Sequence, residues 1–254
     1  MLVAGTGTEV GKTWVSVRLL TAWRAAGLSV AARKPAQSYQ PGEGLTDAEL
    51  LAQASGEDPA TVCPPARWYP VPMAPPMAAE ALDRAAPTLA DLMAAVGWSP
   101  AGVQSGPEPA AEAAEGPSAR PGTRASPGDA AGVAVGLVET AGGVRSPQAA
   151  DADVTDLVGA LAPAHLVLVA DAGLGTVNAV RLSADALAGA GDVPLTVVLN
   201  RFDHASDLHR RNRAWLAERC GLTVVPGTEG ALADLAARLA QDVASAPRRR
   251  HRTS

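Results

Sequence analysis

Gly5-Thr-Gly-Thr-Glu-Val-Gly-Lys-Thr13 follows the short apolar run Leu2-Val-Ala4 and precedes the helix-like run Trp14 to Ala26. A strand, a glycine-rich loop and a helix start are the setting that a phosphate-cradling loop requires. Backbone N–H groups at a helix N-terminus bind anions, because they lack intrahelical partners and sit at the positive end of the dipole. Lys12 reaches the outer phosphates as a point charge, and the Thr13 hydroxyl is a hard oxygen suited to Mg²⁺. The ordinary spacing would put the first glycine at position 6, where Thr6 stands; the glycine is Gly5, so the loop is one residue longer. The alternative is a glycine-rich turn with a chance Gly-Lys-Thr, and the flanking strand and helix argue against it.

Outward from the loop, apolar β-type runs alternate with Ala/Leu-rich helical runs. Leu28 to Ala32, Val133 to Val138, Leu166 to Ala170 and Leu195 to Leu199 read as further strands. Helices are expected from Lys12 or Thr13 to a C-cap at Gly27, over Thr46 to Ala54 with a Thr46/Glu49 capping box, over Thr88 to Val96, over Val177 to Ala190 and over Leu232 to Ala244. This alternation predicts an α/β fold: a doubly wound, mostly parallel sheet of P-loop NTPase type in a single domain. Ligands of such sheets collect beyond the carboxyl ends of the strands. The loop at Gly5, the Lys34-Pro35 turn, Glu139 and Asn200 all follow predicted strands, and so all are candidates for one crevice.

Residues 99–132 are mostly Ala, Gly, Pro, Ser and Glu without periodicity. Such a composition buries too little apolar surface to offset chain entropy, and it predicts a disordered insertion between domain segments 1–98 and 133–246. The basic stretch 247–254 is expected to be a disordered tail. The 254 residues are 47% hydrophobic and only 3% aromatic, so the core must be built from Ala, Val and Leu. A net charge of −5 gives no reason to expect a nucleic-acid partner. Cys63 and Cys220 match no metal spacing and read as reduced thiols of a cytoplasmic protein. No secretory segment is visible and no apolar run is long enough to span a membrane, so a membrane partner is not expected either.

Several further motifs fall into an order of their own. They are Lys34-Pro35-Ala36-Gln37-Ser38, Asp47 at a helix start, and Tyr69-Pro-Val-Pro-Met-Ala-Pro-Pro-Met-Ala-Ala79. Glu139-Thr-Ala-Gly-Gly143, Leu174-Gly-Thr-Val-Asn178 and Asn200 at a strand end complete the series. With the lengthened loop, they resemble the dethiobiotin synthetase family, ATP-dependent enzymes that close the ureido ring in biotin synthesis. The resemblance implies ATP and Mg²⁺, with a small-molecule diamine and CO₂ as the other substrates, and a homodimer. It implies Thr13, Asp47 and Glu139 as the Mg²⁺ ligands, hard oxygens for a hard cation. Lys12 and Lys34 are implied as the electrostatic pair around the transferred phosphoryl group and the carbamate, with Thr8 beside them. Glu9, Val10, Gly11, Lys12, Thr13, Trp14, Glu139, Thr140, Ala141, Gly142 and Asn200 are the implied nucleotide contacts, and Ser38 an implied substrate contact.

Bland readings stand beside these. Asp47 also reads as a first-turn charge favoured by the helix dipole, Lys34 as a solvated turn residue, and Asn200 as a strand-ending turn residue. Glu139 has the weakest such alternative, because a carboxylate ending an apolar strand is costly without a cation nearby. The chain departs from the family pattern at Tyr39, Thr140, Val144-Arg-Ser-Pro-Gln148, Asn178-Ala179 and Val225-Pro-Gly-Thr-Glu229. The nucleotide and metal parts match better than the acceptor-substrate parts. The alternative function is therefore a diverged P-loop ATPase, a switch or regulatory nucleotide-binding module that does not act on the diamine.

Overall fold

A computed structural model of the chain describes residues 1–97 and 135–245. The expected insertion at 99–132 and tail at 247–254 lie outside the described residues, as do positions 133 and 134. In chain order the elements are β1 (Leu2–Gly5), α1 (Lys12–Ala25), β2 (Val30–Arg33), β3 (Gln37–Ser38), α2 (Asp47–Ser55), α3 (Pro59–Val62), β4 (Trp68–Tyr69), α4 (Pro75–Ala81) and α5 (Leu89–Val96). There follow β5 (Val135–Glu139), α6 (Val154–Leu161), β6 (Leu166–Asp171), α7 (Thr176–Ala188), β7 (Leu195–Asn200), α8 (Asp207–Glu218), β8 (Thr223–Pro226) and α9 (Glu229–Ser245).

Six strands form one parallel sheet in the order β2-β5-β1-β6-β7-β8. The register is continuous: Leu2 to Gly5 pair with Leu166 to Val169, and Leu166 to Asp171 with Leu195 to Asn200. The strands are near-continuous apolar runs because both faces are covered, as parallel sheets require. Their side chains alternate between two cores. Leu2, Leu166, Leu168, Val197 and Leu199 face a layer built with α5, α6, α7 and α8. Val3, Val167, Val169 and Val198 face α1, α2 and α9 on the other side. With so few aromatics, Trp23 is the largest side chain of that second core; its Nε1 donates to Ala236 O at 2.8 Å and links α1 to α9.

Local chemistry explains the element ends. Thr46 and Glu49 form the expected capping box at α2, and Gly56 ends that helix at φ 79°. Gly27 takes φ 80° after α1, and the Leu28 N–H reaches back to Trp23 O at 3.0 Å. β2 begins at Val30 rather than Leu28, because that N–H is spent on the helix end. α3, α4, α6, α8 and the strands β3, β4 and β8 have no counterpart in the sequence-based expectations. α8 is polar almost all round and buries only Leu216, while β8 is a short edge strand closed by Pro226. α9 begins at Glu229, three residues before the expected Leu232.

Chain direction puts all the strand ends on one rim. The loop after β1, Lys34 after β2, Glu139 at the end of β5, Asp171 at the end of β6 and Asn200 at the end of β7 therefore share one side of the molecule. Replacing Trp23 by Phe should keep most of the packing but lose the indole hydrogen bond to Ala236 O, costing about 1 kcal/mol. Trp23→Ala should cost about 3–5 kcal/mol. Urea unfolding midpoints at constant slope measure both.

Candidate functional site

The loop 5–13 is anchored by its neighbours. Thr6 N–H donates to Val169 O at 2.9 Å, continuing the β1–β6 ladder. Glu9 and Gly11 adopt left-handed backbone, at φ 59° and 91°. Gly11 has no alternative: a Cβ there would lie 1.9 Å from Asn200 Nδ2. Gly143 lets a second loop pack closely on the first, since a Cβ there would meet Thr6 O at 3.2 Å. Lys12 is buried, and its Nζ donates to Gly7 O at 2.9 Å and Gly142 O at 2.8 Å. Burial and then repulsion by Lys34 lower the Lys12 ammonium to about 8, against the opposing pull of Glu139 and Asp47.

Beside Lys12 lies a buried knot of charge. Lys34, 2% exposed, donates to Asp47 Oδ2 at 2.6 Å and to Glu139 Oε1 at 2.7 Å. Thr13 Oγ1 lies 2.7 Å from Asp47 Oδ1 and 2.9 Å from Glu139 Oε1, and Ser16 donates to Glu139 Oε2 at 2.7 Å. Burial alone would push the Lys34 ammonium down; the charges of Asp47 and Glu139 outweigh it and hold it above the ordinary lysine range. Burial opposes ionisation of Asp47 as well, and the Lys34 charge with the Thr13 hydrogen bond holds its carboxyl below the usual range. Lys34 is therefore no solvated turn residue, and Asp47 does more than complement the α2 dipole.

A cavity of about 610 Å³ opens in front of this knot. Thr8, Glu9, Lys12, Thr13 and Asp47 line one part of it, and Tyr39, Leu45 and Met73 another. Ser38 lines it too, and its buried Oγ has no hydrogen-bond partner among the described residues. A buried hydroxyl without a partner is costly unless a ligand completes it. The loop after β5 is held by Gln148, whose amide pairs with Ala141: Oε1 accepts from Ala141 N and Nε2 donates to Ala141 O at 2.7 Å.

The fold brings Thr8, Glu9, Gly11, Lys12, Thr13, Lys34, Ser38, Asp47, Ala141 and Gly142 to this cavity. Glu139 is buried behind its wall. Asn200 is also buried and directs Nδ2 at Val10 O, 3.0 Å away. Thr140 lies against β1, with Oγ1 donating to Val3 O. Trp14 lies apart, its ring under the Arg18 guanidinium at 3.7 Å. Ser16, Gln148 and Arg201 were absent from the sequence-based set. Ser16 was legible in principle, three residues beyond Thr13 on the same helix face. The other two carry no local signal.

A phosphate loop at the switch point of a parallel sheet, with Lys34 held between the carboxylates of Asp47 and Glu139 beside it, defines a P-loop nucleotide-binding enzyme fold. The family described as "AAA domain" matches residues 1–100. "ATP-dependent dethiobiotin synthetase BioD" of Haloferax mediterranei is 34% identical over 222 residues, 87% of this chain and 80% of the relative. The protein of that name from Anaeromyxobacter dehalogenans strain 2CP-C is 36% identical over 232 residues, 89% of each chain. The one from Streptomyces coelicolor is 33% identical over 231 residues, 91% of this chain and 80% of the relative. The chain belongs to the dethiobiotin synthetase family.

Lys34→Met should destabilise the protein by about 3–5 kcal/mol at neutral pH, because it strands the fully buried Glu139. The deficit should narrow as acid takes Asp47 through its lowered native value. Chemical unfolding of both proteins across pH checks this. Phosphate favours the charged form of Lys12, so nucleotide affinity should be flat from about neutral pH to about 8 and fall above it. Calorimetry in buffers of different ionisation heat should detect proton uptake above that pH in wild type and none in Lys12→Met.

Proposed function

We propose that this chain is an ATP-dependent cyclo-ligase that converts 7,8-diaminononanoate and CO₂ to dethiobiotin. The observation that carries the reading is Lys34 held between Asp47 and Glu139, one hydrogen bond from Thr13 at the base of the phosphate loop. One amine of the diamine adds CO₂ to give a carbamate. A carbamate oxygen takes the γ-phosphoryl group of ATP and ADP leaves. The second amine attacks the carbonyl, phosphate departs, and the cyclic urea closes. No protein nucleophile is needed, so positioning and charge neutralisation carry the catalysis.

The residues divide this work. Loop N–H groups and Lys12 receive the phosphates, with Glu9 to Thr13, the Trp14 backbone N–H and residues 139–142 forming the nucleotide side and Asn200 behind the loop. Lys34 and Thr8 face the transferred group and the carbamate, and Ser38 offers its unpartnered hydroxyl to the diamine. Mg²⁺ suits this donor set: Thr13, Asp47 and Glu139 are three hard oxygens already within one hydrogen-bonded knot. Bound there with phosphates, the ion would supply charge neutralisation for phosphoryl transfer.

A homodimer fits the surface. Leu174 is 93% exposed in the loop before α7, and Met73 and, in α4, Met77 are exposed as well. A cytoplasmic setting accords with free Cys63 and Cys220. Among the described residues no helix is long and apolar enough to cross a membrane.

Incubation with the diamine, bicarbonate, Mg²⁺ and ATP should yield the cyclic urea by mass spectrometry, with phosphate release dependent on the diamine. Phosphate release indifferent to the diamine would favour the regulatory ATPase instead. Lys12→Ala should lower kcat by at least about 10²-fold to 10³-fold; near-normal turnover would refute its assigned role.

A further inference from the structure

Arg201 occupies an unusual place. It follows Asn200 at the carboxyl end of β7 and adopts φ 54°, a left-handed backbone that L side chains avoid. Its Nη2 donates to Glu9 O at 2.7 Å, and its Nη1 to Asp171 Oδ2 at 2.8 Å. Asp171 ends β6 and accepts Gly173 N–H at 2.8 Å through its other oxygen. One residue earlier, Asn200 Nδ2 donates to Val10 O. Asn200, the last residue of β7, and Arg201 just after it thus hold two consecutive carbonyls of the phosphate loop. Those carbonyls flank the turn where the loop itself goes left-handed, at Glu9 and Gly11.

The geometry has a direct consequence for the loop. A left-handed Glu9 costs free energy unless its surroundings enforce it. Pinning the Glu9 carbonyl on the Arg201 guanidinium fixes the peptide that follows it. That orientation sets which way the next N–H groups point. A nucleotide bound by a preformed cradle is spared the cost of ordering it. The Arg201 side chain is 60% exposed, so as a surface ion pair it would add little to stability. A pair of weak stabilising value, built on strained backbone and aimed at a loop carbonyl, calls for another role.

We propose that Arg201 is a positioning residue that preorganises the phosphate loop for nucleotide through Glu9 O, with Asp171 orienting its guanidinium. This deepens the ATP-dependent reading above and rests on it. A planar guanidinium spans carbonyl and carboxylate at once, which a lysine ammonium on its flexible stem does not reproduce.

The test is ATP affinity by calorimetry on the full chain, alongside melting temperature. Arg201→Gly is the decisive variant, because glycine accepts the left-handed backbone without strain. It should melt at or above the wild-type temperature yet bind ATP roughly tenfold more weakly, the effect of one lost charge-assisted hydrogen bond. KM for ATP should rise with kcat and the KM for the diamine little changed. Arg201→Lys should recover part of the affinity. Asp171→Asn should weaken ATP binding in wild type and add nothing in Arg201→Gly, since the two act as one unit. Wild-type ATP affinity in Arg201→Gly overturns the inference and leaves the enzymatic reading intact. Failure of the wild-type chain to bind ATP overturns both.

Discussion

The Lys34 ammonium, closed between the carboxylates of Asp47 and Glu139, is the constraint around which the site is organised. Lys34 and Glu139 have been taken out of water here, and Asp47 partly so; such burial costs several kcal/mol per fully buried ion before any attraction is counted. The fold accepts that cost only because each charge has a partner at hydrogen-bond distance. Thr13 and Ser16 satisfy further oxygens of the same carboxylates. The partners come from β2, α1, α2 and β5, so the knot cannot form until the sheet is assembled.

A second set of contacts holds the loop from behind. Asn200 fills the space that a side chain at position 11 would need, and Gly227 lies as close on the other side, where a Cβ would stand 2.7 Å from Asn200 Cα. Arg201 and Gln148 complete the frame by binding backbone groups of the loops after β1 and β5. The 144–148 segment departs from the family pattern in sequence. Much of that departure is spent internally: Gln148 grips Ala141, Ser146 Oγ accepts from Gly143 N–H, and Arg145 pairs with Asp153. Its added polarity therefore serves the loop's own shape as well as the surface of the site.

The sheet was legible because buried parallel strands leave nearly unbroken apolar runs, and Leu166–Asp171 and Leu195–Asn200 are such runs. Helix starts with a capping box were equally legible, as at Thr46. α8 was not, because a helix that buries only Leu216 shows almost no apolar stripe. β8 was hidden by its brevity and its proline. Arg201 was invisible for a different reason. One arginine after a strand looks the same whether its guanidinium meets water or a carbonyl 192 positions away in the chain.

By itself, then, the sequence determined a lengthened phosphate loop between a strand and a helix, a parallel α/β architecture, and the set of acids and bases at the strand ends. Local pattern suffices for these, since periodicity and loop chemistry are properties of neighbouring residues. Only the tertiary structure decided that Lys34 is buried rather than solvated, that Asp47 and Glu139 share it, and that Arg201 and Asn200 brace the loop. Those facts are distances between residues far apart in the chain, fixed by strand order and register, and no local pattern encodes them.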